Sequence, residues 1–130
     1  MIAYEWRGDF ANVEVCALHA EGFSDRLRDH NWRKQLETHS LGWVCARDDM
    51  GLAGFVNVAW DGAAHAFLLD TVVARRVQRQ GVGTALAAVA VRQARDAGCE
   101  WLHVDFEDRL RPFYLCSCGF RPTTAGLITL

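Results

Sequence analysis

The amino-acid sequence predicts a mixed α+β fold in which one sheet contains both antiparallel and parallel strands. Three apolar segments of strand length, 41–47, 52–59 and 64–73, follow one another with only short turns between them. That spacing is typical of an antiparallel meander. A further apolar segment, 101–106, comes after a glycine-containing loop and a long helical segment. A crossover of that length places segment 101–106 parallel to segment 64–73.

Length and composition indicate one globular domain over residues 1–130. Apolar residues make up 51% of the chain, and the formal net charge is −2. Lys34 is the single lysine, and the lack of a basic surplus argues against a nucleic-acid partner. No apolar run is long enough to span a membrane and no signal-peptide pattern follows Met1, so we expect a cytoplasmic protein. The five cysteines are scattered through apolar positions, which predicts reduced thiols and no metal site.

Local patterns predict the first two elements. Residues 2–7 include Ile, Tyr and Trp, which favour a strand. Asn12 can cap a helix that ends at Gly22. Apolar residues recur in this helix at helical spacing, at Val13, Cys16, Ala17 and Ala20.

A second helix and the turns of the meander follow. Ser24 or Asp25 can cap a more polar helix that reaches Thr38. The turns of the meander are predicted at 48–51 and at 61–62, where Asp and Gly are concentrated.

The C-terminal part adds two helices and the last strands. A helix is predicted over 83–97 because the segment is rich in helix formers, and Gly98 supplies a left-handed stop. Another helix is predicted over 107–119, with a proline in its first turn. Residues 120–122 and 126–130 then predict a short final strand or hairpin, which gives six to seven strands and four helices in total.

A glycine-containing loop joins the strand at 64–73 to the helix at 83–97. It has the sequence Gln78-Arg79-Gln80-Gly81-Val82-Gly83. A strand, a tight turn and a helix N-terminus leave backbone N–H groups unpaired near one point, where the helix dipole adds partial positive charge. Such a loop can bind phosphate. The candidate donors are the backbone N–H groups of Arg79, Gln80, Gly81, Gly83 and Thr84.

Two common phosphate-binding motifs fit this loop poorly. A Walker loop requires a lysine after its second glycine, and no lysine follows Gly83. A Rossmann fingerprint requires a third glycine where Leu86 stands, although Asp105 lies at about the distance expected of a ribose-binding acid. The Walker motif is therefore excluded, and the Rossmann motif is disfavoured.

The loop resembles the coenzyme A loop of the GNAT N-acetyltransferase superfamily, whose pattern is Gln/Arg-x-x-Gly-x-Gly/Ala. Residues 78–83 match every fixed position of that pattern. Upstream, residues 70–73 (Asp-Thr-Val-Val) resemble the acid-x-x-Val strand end of the family. Downstream, Phe113-Tyr114 and Cys118-Gly119-Phe120 resemble its closing motif. The similarity covers about Asp70 to Phe120, and the N-terminal half agrees in element order.

The resemblance implies a GNAT-like fold, a mixed sheet of six to seven strands flanked by four helices. It also implies acetyl-CoA-dependent transfer of an acetyl group to a primary amine of a small molecule or a peptide. In this fold the two N-terminal helices form one wall of the acceptor cleft. The resemblance also implies which residues bind the cofactor. These are Thr71, Val72, Val73, Gln78, Arg79, Gln80, Gly81, Val82, Gly83, Thr84 and Glu107.

Asp70 is the expected general base. A lysine-like amine has a pKa near 10.4, so some group must accept its proton. A carboxylate inside an apolar strand is partly desolvated and therefore more basic. Many relatives place an acid at this position, although Leu69 occupies the neighbouring position at which others carry Glu. Glu107, His103 and Asp105 are the alternatives.

Tyr114 is the expected general acid, because it resembles the family's tyrosine that protonates the coenzyme A thiolate. The family usually has three residues between this tyrosine and the following glycine. Here four residues separate Tyr114 from Gly119. Leu115 is therefore an alternative occupant of the tyrosine position.

The sequence leaves open two other functions and one oligomeric state. The chain can be a non-catalytic acyl-CoA-binding regulatory domain that retains the loop, or a transferase of a longer acyl chain. A short C-terminal strand leaves a sheet edge that can pair with a second copy, so a homodimer is an open alternative.

Overall fold

A computed structural model describes residues 1–23 and 29–130. The strands in this part of the chain are β1 (Ala3–Trp6), β2 (Ser40–Asp48), β3 (Gly51–Trp60), β4 (His65–Val73) and β5 (Trp101–His103). The α-helices are α1 (Asn12–Gly22), α2 (Trp32–His39) and α3 (Val82–Asp96). Short 3₁₀ turns cover Arg75–Val77 and Asp108–Leu110, and a π-helix covers Pro112–Ser117.

The sheet has the predicted mixed topology, and the α+β fold class is confirmed. Its strand order is β1-β2-β3-β4-β5, with antiparallel pairing from β1 to β4 and parallel pairing between β4 and β5. α3 crosses from β4 back to β5, as the crossover length predicts.

The helices cover both faces of the sheet, as two adjacent residues of β3 demonstrate. The ring of Phe55 lies 6.1 Å from that of Trp32 in α2. A Cβ at Gly54 would lie 3.1 Å from Leu86 of α3. Because neighbouring strand residues face opposite sides, α2 and α3 pack on opposite faces.

α1 packs through a different face from the predicted one. Val15, Leu18 and His19 are buried, whereas Val13 is 75% exposed. Apolar residues occur all around this helix, so the sequence offers no single stripe and packing against the sheet selects the face with the larger side chains. The residue at the N-cap is Ala11. Asn12 lies inside the helix.

Polar contacts fix α1 against β2 and α2. The Glu14 carboxylate accepts two hydrogen bonds of 2.8 Å from Arg47 of β2. This pairing holds the pKa of Glu14 at about 2. The Asn12 side chain donates to Asn31 Oδ1 at 3.0 Å and accepts from the Arg33 N–H at 2.9 Å. These contacts hold α1 at a defined position beside the sheet.

α2 begins later than predicted. Asn31 caps it by accepting from the Lys34 N–H at 3.1 Å, and residues 29–31 are not helical. A helix that continues from Ser24 or Asp25 to Thr38 is therefore wrong, because a strong cap stands directly before Trp32. Ser24 and Asp25 themselves lie outside the described residues.

The C-terminal part departs most from the prediction. β5 ends at His103, and residues 118–130 contain no strand, so the described sheet has five strands and not six to seven. The helix predicted over 107–119 is a 3₁₀ turn followed by a π-helix. β5 ends where its pairing with β4 ends, at Phe67 opposite His103, because strand geometry is not maintained without a partner.

The structure contains no helix among the described residues that is long and apolar enough to cross a membrane.

Candidate active site

The loop between β4 and α3 presents its backbone to solvent. The helix begins at Val82, and Ala85 N–H donates to Gly81 O at 3.0 Å. The N–H groups of residues 82–84 precede this bond and therefore lack an acceptor within the helix. Residues 78–81 are exposed. The loop thus offers main-chain donors at the positive end of a 15-residue helix.

Glycine is required at the two positions of the loop for different physical reasons. Gly81 has a φ of +80°, and a Cβ there would meet nothing within 4 Å. Gly83 packs against the closing motif, since a Cβ there would lie 3.0 Å from the Phe113 ring. Gly81 therefore permits the left-handed turn into α3, and Gly83 makes room for Phe113.

The side chain of Gln78 links the loop to the sheet by a hydrogen bond. Its side-chain Nε2 donates to Val73 O, at the end of β4, at 3.2 Å. This bond closes the turn that carries residues 79–84. Gln78 therefore shapes the loop through its side chain.

A β-bulge interrupts β4 at Asp70. Phe55 pairs with Val72 and Asn57 pairs with Leu69, so a single residue of β3 stands opposite both Asp70 and Thr71. Asp70 has a φ of +57°, in the left-handed region. Bulges of this kind redirect a side chain and free backbone groups next to functional sites.

β4 and β5 stop pairing before the bulge. They pair only at His65 with Trp101, Ala66 with Leu102 and Phe67 with His103. Within the described residues, Thr71 to Val73 therefore have no strand partner on the β5 side. This unpaired end of β4 leads directly into the loop before α3.

Among residues 1–23 and 29–130, one polar side chain contacts each oxygen of the Asp70 carboxylate. Oδ1 lies 3.3 Å from His19 Nε2 of α1. Oδ2 accepts from Asn57 Nδ2 of β3 at 3.4 Å. Ser40 Oγ donates to Asn57 Oδ1 at 2.5 Å. The Asp70 side chain remains 23% exposed, whereas His19 and Asn57 are buried.

The sequence prediction of the site does not include His19, Asn57 or Ser40. A signal was present for two of them, because His19 follows Leu18 on the buried face of α1 and Asn57 stands between valines in a buried strand. Polar residues at such positions require partners. Only the fold reveals that they share Asp70 as that partner.

The alternatives to Asp70 lie in other surroundings. His103 stacks on Phe67 at 4.8 Å, and its Nε2 lies 2.7 Å from His65 Nδ1. Glu107 is exposed and pairs with Arg109 at 2.9 Å. Asp105 is exposed on the segment after β5. These described contacts involve neither His19 nor Asn57.

Tyr114 is buried beside the bulge. Its ring stacks on Phe106 with centroids 4.8 Å apart and meets Phe113 edge to face. Burial raises the pKa of Tyr114 above its ordinary value, and a hydrogen bond with the Thr71 side chain opposes the rise. The phenol thus lies next to the residue that follows Asp70.

The π-helix accommodates the extra residue before Gly119. Cys118 N–H donates to Phe113 O at 3.0 Å, five residues back along the chain. A π-turn holds one residue more than an α-turn, so four residues fit where relatives have three. Tyr114 is buried and Leu115 is only half-buried, so the tyrosine occupies the inward position.

Metal ligands do not cluster in the described residues. In residues 1–23 and 29–130, no group of three or more His, Cys, Asp or Glu side chains is arranged to hold a metal ion.

Comparison with solved structures shows the same fold. A probable acetyltransferase from methicillin-resistant Staphylococcus aureus is 21% identical, with a TM-score of 0.81 over 100% of this chain and 99% of that one. A GNAT family protein from Streptococcus pneumoniae is 23% identical, with a TM-score of 0.81 over 100% and 98% of the two chains. A predicted acetyltransferase from Clostridium acetobutylicum, solved with acetyl-CoA, is 14% identical, with a TM-score of 0.77 over 100% and 96%.

Comparison of the sequence with protein families identifies the group. No curated protein matches the chain. The family model for the acetyltransferase (GNAT) family matches residues 4–120, which include the sheet, the loop and the closing motif. The chain therefore belongs to the GNAT acetyltransferase family.

Proposed function

We propose that the protein is an acetyl-CoA-dependent N-acetyltransferase that transfers the acetyl group directly to a primary amine of a small molecule or a peptide. One arrangement supports the proposal: β4 carries Asp70 at its bulge, Thr71 beside the Tyr114 phenol, and an unpaired end at residues 71–73 that leads into the loop before α3. Under this proposal, a binding site for a diphosphate adjoins a proton acceptor and a proton donor.

The backbone of the loop fits the diphosphate of coenzyme A. The N–H groups of Arg79, Gln80, Gly81, Gly83 and Thr84 would bind it, with Gln78 and Val82 completing the loop. The unpaired edge of residues 71–73 would bind the pantetheine arm, with Glu107 beside it. When bound, acetyl-CoA supplies the thioester whose acetyl group is transferred.

The chain's own residues would move the protons of the transfer. Asp70 accepts the proton of the substrate ammonium, and the neutral amine nitrogen forms a bond to the thioester carbonyl carbon. As the carbon–sulfur bond breaks, Tyr114 would donate its phenolic proton to the sulfur. The amine nitrogen, which still carries one proton more than the amide product, would then return a proton to the Tyr114 oxygen. Backbone N–H groups at the bulge would polarise the carbonyl, and one preorganised donor of this kind contributes about 3 kcal/mol in an oxyanion hole. No covalent enzyme intermediate forms.

An acceptor screen tests the function directly. The protein is mixed with acetyl-CoA and a panel of small primary amines and lysine-containing peptides, and free thiol release and acetylated product are both measured. We expect amine-dependent thiol release with sequential kinetics. Tight acetyl-CoA binding without turnover on any amine would favour a regulatory acyl-CoA-binding domain. Faster turnover with longer acyl-CoA chains would favour the transferase of a longer chain.

Asp70→Asn is expected to lower kcat about 100-fold at neutral pH, because an amide cannot accept the ammonium proton. The KM for acetyl-CoA should change by less than about threefold, since the loop is untouched. The measurement is steady-state kinetics on the best acceptor from the screen. Asp105→Asn is the matched comparison, as it removes the competing carboxylate on the neighbouring segment. An unchanged kcat in Asp70→Asn, or an equal loss in Asp105→Asn, would contradict Asp70 as the base.

A further inference from the structure

We propose that His19 is a positioning residue that, together with Asn57, holds the Asp70 carboxylate in the orientation needed to accept the proton of the acceptor amine. The inference rests on the proposed function, because it concerns the same carboxylate. It assigns a role in the reaction to a residue of α1, in addition to Asp70 of β4.

The backbone at Asp70 gives such a contact a physical reason. A residue with a φ of +57° in a bulge is outside the regular pleat, so its side chain does not follow the alternation of the strand. Conformations of this kind persist when surrounding groups hold them. The neighbours of the carboxylate therefore decide its direction.

The His19 ring is held rigidly enough to set that direction. It is 7% exposed, stacks on Phe23 with centroids 4.4 Å apart, and lies 5.1 Å from the Trp32 ring. These two aromatic rings restrict rotation of the imidazole. Nε2 is thereby kept 3.3 Å from Asp70 Oδ1. We assign the tautomer in which the Nε2–H donates, because a carboxylate can only accept.

Asn57 holds the second carboxylate oxygen from the sheet. It is 1% exposed, and the hydrogen bond from Ser40 to its Oδ1 directs its Nδ2 toward Asp70. The carboxylate therefore has one donor from α1 and one from β3. Each oxygen keeps a further acceptor position, and the partly exposed side chain can present it to an incoming ammonium.

A double-mutant cycle tests the positioning role. His19→Leu removes the donor, and His19→Gln retains a side-chain N–H that can reach Asp70. We expect His19→Leu to lower kcat about tenfold with an unchanged KM for acetyl-CoA, and His19→Gln to recover most of the loss. In an Asp70→Asn background, His19→Leu should cause little further loss. An equal fold loss in both backgrounds, or a wild-type kcat in His19→Leu, would overturn the proposal.

A spectroscopic measurement keeps the proposal separate from the acetyltransferase activity. The ¹⁵N resonances of the His19 imidazole are recorded in the wild type and in Asp70→Asn, which differ in one functional group. We expect the Nε2 resonance of His19 to shift between the two proteins, while those of His65, at the first position of β4, stay unchanged. An unshifted Nε2 would overturn the contact. Absence of turnover on every amine with a shifted Nε2 would instead refute the proposed function and leave the contact standing, and the positioning role would fall with that function.

Discussion

Tyr114→Phe is expected to lower kcat at least about 100-fold while the Kd for acetyl-CoA changes by less than about twofold. The substitution removes only the phenolic oxygen, and the ring contacts with Phe106 and Phe113 remain. The departing thiolate then lacks its proton donor. The expected signature is therefore a loss of turnover without a loss of binding, measured by steady-state kinetics and by calorimetric titration of acetyl-CoA.

The pKa of Tyr114 gives this prediction a pH dependence. Burial raises the pKa of the phenol above its ordinary value, so the proton is retained throughout the neutral range. Loss of the wild-type rate through ionisation of Tyr114 is expected only at a pH above the range in which an ordinary tyrosine ionises. Tyr114→Phe should lack that alkaline decline, because no phenol remains to ionise.

Tyr4→Phe is the matched control, since Tyr4 and Tyr114 are the two tyrosines of the chain. Tyr4 lies on β1, at the edge of the sheet opposite to β5. Its variant should retain the wild-type kcat. A Tyr114→Phe enzyme that is as fast as Tyr4→Phe would show that another group protonates the thiolate.

Gly81→Val is expected to weaken acetyl-CoA binding at least about 100-fold, which corresponds to about 2.8 kcal/mol. Gly81 has a φ of +80°, which a β-branched residue disfavours strongly. The loop must relax from this conformation, and relaxation turns its N–H groups away from a common point. Calorimetric titration measures the change in affinity, and thermal unfolding measures the accompanying loss of stability.

Gly98→Val separates the binding effect from backbone strain. Gly98 follows the same helix at its other end, has a φ of +91°, and likewise would place a Cβ in open space. The two variants should lose similar stability, and only Gly81→Val should lose affinity. An equal loss of affinity in both would mean that the helix as a whole, and not the loop, supports binding.

The fold was predictable from sequence where local signals determine it. Short turns between β2, β3 and β4 enforce the meander, and the long segment before β5 enforces the parallel crossover. The prediction of strands near the C-terminus was wrong because a strand depends on a neighbouring strand to pair with, which a local pattern does not reveal. The predicted buried face of α1 was wrong for a similar reason, since packing against the sheet buries Val15 and Leu18 and leaves Val13 exposed.

The candidate site likewise has one part that local sequence signals predict and another that depends on the fold. The loop over residues 78–83 is contiguous, so its glycines and its position before a helix are visible in the sequence. The neighbours of Asp70 come from α1 and β3, and their convergence depends on a bulge that no sequence pattern marked. The sequence revealed an extra residue after Tyr114, but only the π-helix explains how the tyrosine keeps its inward position.

We propose above all that main-chain amides at the N-terminus of α3 bind the diphosphate of coenzyme A. The most direct measurement is a titration of ¹⁵N-labelled protein, followed by amide chemical shifts, with dephospho-coenzyme A and with pantetheine, which lacks the diphosphate. The proposal predicts that the amides of residues 79–84 shift most with dephospho-coenzyme A and barely move with pantetheine. Shifts of equal size with both compounds, or shifts that leave residues 79–84 unchanged, would contradict it.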